Sequence, residues 1–321
     1  MSSPPPSAAP STVAHEGVVA RDVARSFGAI HAVRDVTFDA RPGRITGLVG
    51  PNGAGKTTLF LLLASLLAPD HGEIRIAGAD PVADPAAARA RIGWMPDALG
   101  AWDSLTALET LVTAGRLYGA TRHEARQRAE ELLEEVGLAD HGRSPARVLS
   151  RGQKQLLGLA RALVHRPSVL LLDEPASGLD PAARIALRNH LRRLADGGAA
   201  ILVSSHVLSE LEEMVDDAVF MAAGATVARD VGATVGRRDW RLRIAGATHS
   251  GSAPWRDEIA RILPHAQVRV ERRDLLLAFA DETAAATGLT ALVGAGVPVA
   301  VFAPAAGELE NAFLDLEKGP R

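Results

Sequence analysis

Several things are scarce in this 321-residue chain, and each scarcity closes off a class of chemistry. Cysteine is absent, which excludes disulfides, thiolate metal sites and cysteine nucleophiles, and leads us to expect a reducing, cytoplasmic setting. Aromatics make up 4% and charge nearly balances at a formal −3, so no bulk basic field for nucleic acid exists. No long apolar run occurs: the longest, Leu59 to Ala68, is about half of the roughly 20 residues a membrane-spanning helix needs. Any membrane role is therefore expected to pass through a partner. Lysine is the least expected shortage, because of 35 basic residues only Lys56, Lys154 and Lys318 are lysine. A lysine kept in a chain that otherwise uses arginine is a candidate for chemistry, and Lys56 sits in its most glycine-rich loop.

The opening MSSPPPSAAPST lacks a charged leader and an apolar run, and residues 1–16 are expected to form a disordered tail outside the fold. From Gly17 onward the alternation in Val18–Val23 and Val33–Phe38 predicts strands, and the apolar Ile45–Val49 predicts a strand running into a glycine-rich turn. Thr57–Leu67, free of Gly and Pro, predicts a helix closed before Pro69. A mainly helical insert is expected over about 85–166, where Thr121 and Glu124 form a capping box ahead of Ala125, Ala129, Leu132 and Val136. Val169–Leu172 and Ala200–Val203 are wholly apolar, as central strands of a parallel sheet covered on both faces should be. Polar residues follow each of them, where doubly wound sheets bind ligands. After Gly224 the order strand, helix, two strands, helix, strand, helix predicts a small ferredoxin-like unit. That gives a larger domain over 17–224 and an accessory domain over 225–321. The accessory region carries 12 basic and 12 acidic residues, again no nucleic-acid footprint.

Gly50-Pro51-Asn52-Gly53-Ala54-Gly55-Lys56-Thr57-Thr58 is the Walker A pattern, set between a predicted strand and a predicted helix. Glycines there let backbone N–H groups turn inward around phosphates, and the helix presents its positive end. Lys56 should reach the β and γ phosphates and Thr57 a Mg²⁺ ion. Val169-Leu-Leu-Leu-Asp173-Glu174 then reads as a strand delivering Asp173 to the metal shell and Glu174 to the attacking water.

Leu149-Ser150-Arg151-Gly152-Gln153, shortly before that strand, is similar to the LSGGQ signature of ABC ATPases, and the resemblance covers about Gly17 to Gly224. It implies an α/β fold of P-loop NTPase type, with a parallel-sheet core, an antiparallel β subdomain and a helical insert. It also implies a head-to-tail dimer in which Ser150, Gly152 and Gln153 complete the partner's ATP site. Ser177-Gly-Leu-Asp180 looks like the D-loop, His206 like the switch histidine, and Phe27 like the aromatic that stacks on adenine. Asp97, closing Ile92-Gly-Trp-Met-Pro-Asp97, stands where the family usually has a Gln that meets Mg²⁺; Asp is shorter and adds charge. Arg151 departs from the family's glycine and is read as lying along the dimer seam, not as an arginine finger. Trp94, Trp102 and Tyr118 either line the groove that receives the permease or fill the insert's core.

The segments His206–Glu213 and Gly307–Leu314 resemble the branch that exports drugs, antibiotics, ions or polysaccharides through separately encoded permeases. The resemblance implies ATP and Mg²⁺ as cofactors, membrane permease subunits and a second copy as partners, and a place on the inner face of the cell membrane. The competing reading is a non-transport ABC ATPase acting on ribosomes or nucleic acid. Against it stand a single ATPase unit and a Ser150 that follows Lys56 by only 94 residues, with no sustained heptads for a coiled coil.

Overall fold

The computed structural model describes residues 17–97, 104–227, 238–245, 253–264, 266–271 and 274–305. The chain divides into two compact units, Met1–Ala228 and Arg229–Arg321.

In the first unit the strands are β1 (Val18–Phe27), β2 (Ile30–Ala40), β3 (Ile45–Val49), β4 (His71–Ile76), β5 (Ile92–Met95), β6 (Val169–Asp173), β7 (Ala200–Ser204), β8 (Asp217–Ala222) and β9 (Ala225–Val227). They form one sheet in the order β4-β1-β2-β9-β8-β3-β7-β6-β5. The run from β8 to β5 is parallel, while β4, β1 and β2 pair antiparallel. Every residue of β3, β6 and β7 is buried, which is what their unbroken apolar text requires of strands covered on both faces. The helices are α1 (Lys56–Leu63), α2 (Pro85–Arg89), α3 (Ala107–Leu117), α4 (Arg122–Glu135), α5 (Arg151–Ala162), α6 (Pro181–Asp196) and α7 (Leu208–Glu212). Leu59, Phe60, Leu62 and Leu63 of α1 sink into a core shared with Val18, Val36, Leu171 and Leu202.

Three expectations change. The helix after the glycine-rich turn stops at Leu63, because Ser65 takes a left-handed backbone (φ 59) and Leu66 N–H turns back to Leu61 O at 2.9 Å. The helical insert does not begin at 85: Ile92–Met95 is a strand in parallel register with β6, as in Ile92↔Val169 and Met95↔Leu172. At Gly93 a side chain would collide with Ala162 O and Leu170, so this short glycine-bearing run is shaped for the sheet edge against the end of α5. Third, β9 pairs with β8, so the first unit runs past Gly224 and the accessory unit starts at Arg229, not at Ala225. The Thr121–Glu124 capping box is present, with Glu124 Oε2 accepting from Thr121 N–H at 2.7 Å.

The second unit contains β10 (Arg238–Ile244), α8 (Ala253–Ile262), β11 (Gln267–Glu271), β12 (Asp274–Phe279), α9 (Glu282–Gly294) and β13 (Val299–Pro304). Its antiparallel sheet has the order β11-β12-β10-β13, the βαββαβ arrangement of a ferredoxin-like fold. Leu242, Ile244, Leu275, Leu277 and Phe279 form its core with Ile259, Ala285 and Leu292 from the helices. The last predicted helix and Gly307–Leu314 lie outside the described residues.

Candidate functional site

Register builds the site. Leu48 pairs with Ser204, and Ser204 with Asp173, so the carboxyl ends of β3, β7 and β6 finish on one level. The glycine-rich loop, His206 and the Asp173-Glu174 pair all emerge there, at the end of the sheet where ligands bind in this class of fold.

The loop Gly50–Thr58 closes into α1 through Gly55, whose φ of 99 is left-handed. Lys56 Nζ donates to Gly50 O at 2.6 Å and to Pro51 O at 3.2 Å. Burial pulls its pKa down, and the nearby charges of Glu174 and Asp173 resist that shift. A cation half out of water, with two carboxylates nearby and set where a glycine-rich loop starts a helix, suits a polyanion. Thr57 is exposed on the first turn of α1, and Asn52 and Gly53 are exposed at the loop's tip.

Asp173 is 5% exposed and accepts a 2.6 Å hydrogen bond from Ser204 Oγ. Burial pushes its carboxyl up; the Ser204 bond opposes that, Glu174 and Asp97 add to it, and Lys56 opposes it. Asp97 is exposed just beyond β5. Glu174 has a left-handed backbone (φ 54). Its N–H donates to Ser204 Oγ at 3.1 Å and its carbonyl accepts from Gln155 Nε2 at 2.7 Å. Its carboxylate lies 2.7 Å from His206 Nδ1, whose ring is largely exposed.

The raised Asp173 has a consequence for stability. Between the ordinary carboxylate pKa and the raised one, the folded state binds more protons than the unfolded state, so stability falls as pH rises through that window. Asp173→Asn removes this titration and keeps an oxygen for Ser204. Without nucleotide it should melt about 2–4 °C above wild type at neutral pH, the shift expected for about 1 kcal/mol in a unit this size. The gap should close in acid; equal midpoints at every pH would mean that burying this charge costs nothing.

The other sequence-predicted residues sit on other elements and make their own contacts. Ser150 caps α5: its Oγ accepts from Gln153 N–H at 3.2 Å and its N–H donates to Gln153 Oε1 at 2.9 Å. Gln153 Nε2 lies 2.8 Å from His141 Nε2. Gly152 packs on the Gly178 carbonyl. Asp180 caps α6 by accepting from Ala183 N–H at 2.9 Å. Phe27, 44% exposed, ends β1 with the Arg25 guanidinium 5.0 Å from its ring centre. Trp94 tilts against Phe60 at 5.4 Å and Tyr118 stacks on His165 at 3.7 Å; Trp102 lies outside the described residues. Sequence reasoning missed Ser204 and Gln155. Ser204 had a signal, a hydroxyl ending an otherwise apolar strand.

Residues 33–177 match the family model described as ABC transporter. The chain is 35% identical over 301 residues to the daunorubicin resistance ATP-binding protein DrrA3 of Streptomyces coeruleorubidus, covering 91% of this chain and 93% of that one. It belongs to the ABC transporter ATP-binding family. NatA, an ABC transporter ATP-binding protein of Bacillus subtilis, is 38% identical over 201 residues, 62% of this chain and 82% of NatA. Among solved structures, an ATP-binding subunit of an ABC transporter superposes with a TM-score of 0.62 at 31% identity, over 66% of this chain and 89% of that one. The dimeric cassette MJ0796, at 24% identity and TM-score 0.61, shares the fold. This family member is thus an ATPase that powers transport, and ABC transporter ATP-binding subunits work with membrane permease partners. Among its described residues no helix is long and apolar enough to cross a membrane.

Proposed function

We propose that this ABC ATPase drives export of drug-like or other small molecules through a separate permease, working as a head-to-tail pair on the inner face of the membrane. The observation that carries the chemistry is the 2.7 Å contact of Glu174 with His206 beside the buried Asp173, at the strand ends that also launch the phosphate loop. In this reading Lys56 leaves its loop carbonyls for the β and γ phosphates, Phe27 stacks on adenine, and the N–H groups of Gly50–Thr58 hold the phosphate chain. Glu174 takes the proton of the attacking water, and His206 holds that carboxylate and senses the γ-phosphate. Ser150, Gly152 and Gln153, with Asp180 beside them, close over nucleotide bound to the other copy.

Mg²⁺ fits the donor set. Asp173 and Thr57 are hard oxygen donors, and among the described residues no cluster of three or more carboxylate or imidazole groups forms a cage. Mg²⁺ is commonly held by one or two protein oxygens, phosphates and water. When bound it would neutralise charge on the phosphates. Asp97 is assigned to the edge of this shell through its charge on Asp173. The accessory unit from Arg229, which carries none of the nucleotide motifs, is assigned to regulating or stabilising the pair.

Export of a drug-like substrate is supported by the near full-length match to a daunorubicin resistance ATP-binding protein. Membrane vesicles carrying this chain with a co-purified permease should expel daunorubicin only with ATP. Failure of any permease to co-purify, with ATP turnover raised by ribosomes or nucleic acid instead, would move the protein to the non-transport branch.

A further inference from the structure

Arg151, the departure within the signature, is turned toward its own chain. Its Nη2 donates to Ser177 Oγ at 2.8 Å. Its methylenes lie across Gly178, where φ is 76 and an added Cβ would sit 2.9 Å from Arg151 Cδ. Residue 155 is four positions on, hence on the same face of α5 one turn later. Gln155 is 4% exposed and gives its amide to the Glu174 carbonyl. One helix face therefore grips both ends of the segment Glu174–Gly178. At the end held by Gln155, Glu174 has a left-handed conformation that a residue with a side chain adopts only when its surroundings impose it.

We infer that Arg151 and Gln155 are positioning residues, a two-point clamp through which the helix bearing the signature fixes the aim of the Glu174 carboxylate in the same subunit. The inference rests on the reading of Glu174 given above. Through this clamp, a rotation of the amino end of α5 is carried along two side chains to the segment bearing Glu174. Arginine is well suited to this position because its planar donor fork reaches the serine while its stem covers the glycine.

The test uses the full chain, with steady-state MgATP hydrolysis, equilibrium ATP binding and hydrogen exchange of the amides of 174–179. Arg151→Gly and Ser177→Ala should each lower kcat about three- to tenfold and leave KM within about twofold, as for an interaction that matters after binding. The double variant should be no slower than the slower single one, because both changes delete one bond. Arg151→Lys, which keeps a donor, should recover to within about twofold of wild type. Exchange at 174–179 should quicken in Arg151→Gly and Gln155→Ala. Multiplying defects, a raised KM with unchanged kcat, or unchanged exchange would overturn the clamp. Glu174→Gln run in parallel separates the two readings: normal turnover in that variant sinks the role of Glu174, while exchange still decides whether the clamp exists.

Discussion

Glu174→Gln should bind ATP as tightly as wild type, lose turnover by about 10² to 10⁴, and accumulate as an ATP-bound dimer. The range is what a positioned general base contributes. The substitution isolates that contribution because the amide has the shape of the carboxylate and can still meet His206 Nδ1, 2.7 Å away in wild type. It also leaves intact the backbone bonds to Ser204 and Gln155 that hold this left-handed residue. What the amide cannot do is accept the proton of water. Gel filtration with and without ATP, beside a phosphate-release assay, reads both halves. Turnover near that of wild type would remove Glu174 from the mechanism.

The parts of this site legible in the sequence were those encoded by residues close together along the chain. Gly50–Thr58 sets its own turn and helix start, Val169–Glu174 its own buried strand, and Ser150–Gln153 its own cap. Each pattern carries its structural context within about ten residues. Ser204 was missed because its bonds are to Asp173 and Glu174, roughly thirty positions away, and only strand register brings them level. Gln155 looked like ordinary helix text for the same reason: its partner is a backbone carbonyl 19 residues distant. Ile92–Met95 was absorbed into the helical insert because four residues are too few to display a period; its parallel pairing with Val169–Leu172 makes it a strand. In the accessory unit the βαββαβ order was legible because each element alternates or repeats at its own spacing. The boundary was misplaced by the three-residue β9, whose membership of the first sheet is set by its pairing with β8 across Gly224.

The phosphate loop yields the other large effect, and two of its glycines should differ sharply. Gly53 and Gly55 both have left-handed backbones, with φ of 82 and 99, so an alanine at either is strained by about 1–3 kcal/mol. Their surroundings separate them. An added Cβ at Gly53 meets nothing within 4 Å, whereas at Gly55 it would fall well inside contact distance of the Ala32 carbonyl oxygen. That oxygen belongs to β2, held in the sheet between β1 and β9, which cannot retreat without disturbing Val33 and Val36 in the core. The start of α1 must move instead, and with it Lys56 and Thr57. Gly55→Ala should therefore weaken ATP binding by at least about a hundredfold, which equals about 2.7 kcal/mol. Gly53→Ala should cost about tenfold or less, from backbone strain alone. Equilibrium binding of a fluorescent ATP analogue, with thermal melts to confirm that both variants fold, checks the pair. Equal losses at the two positions would mean that Gly55 serves the loop only through its backbone freedom, and that its approach to Ala32 does not fix the lysine.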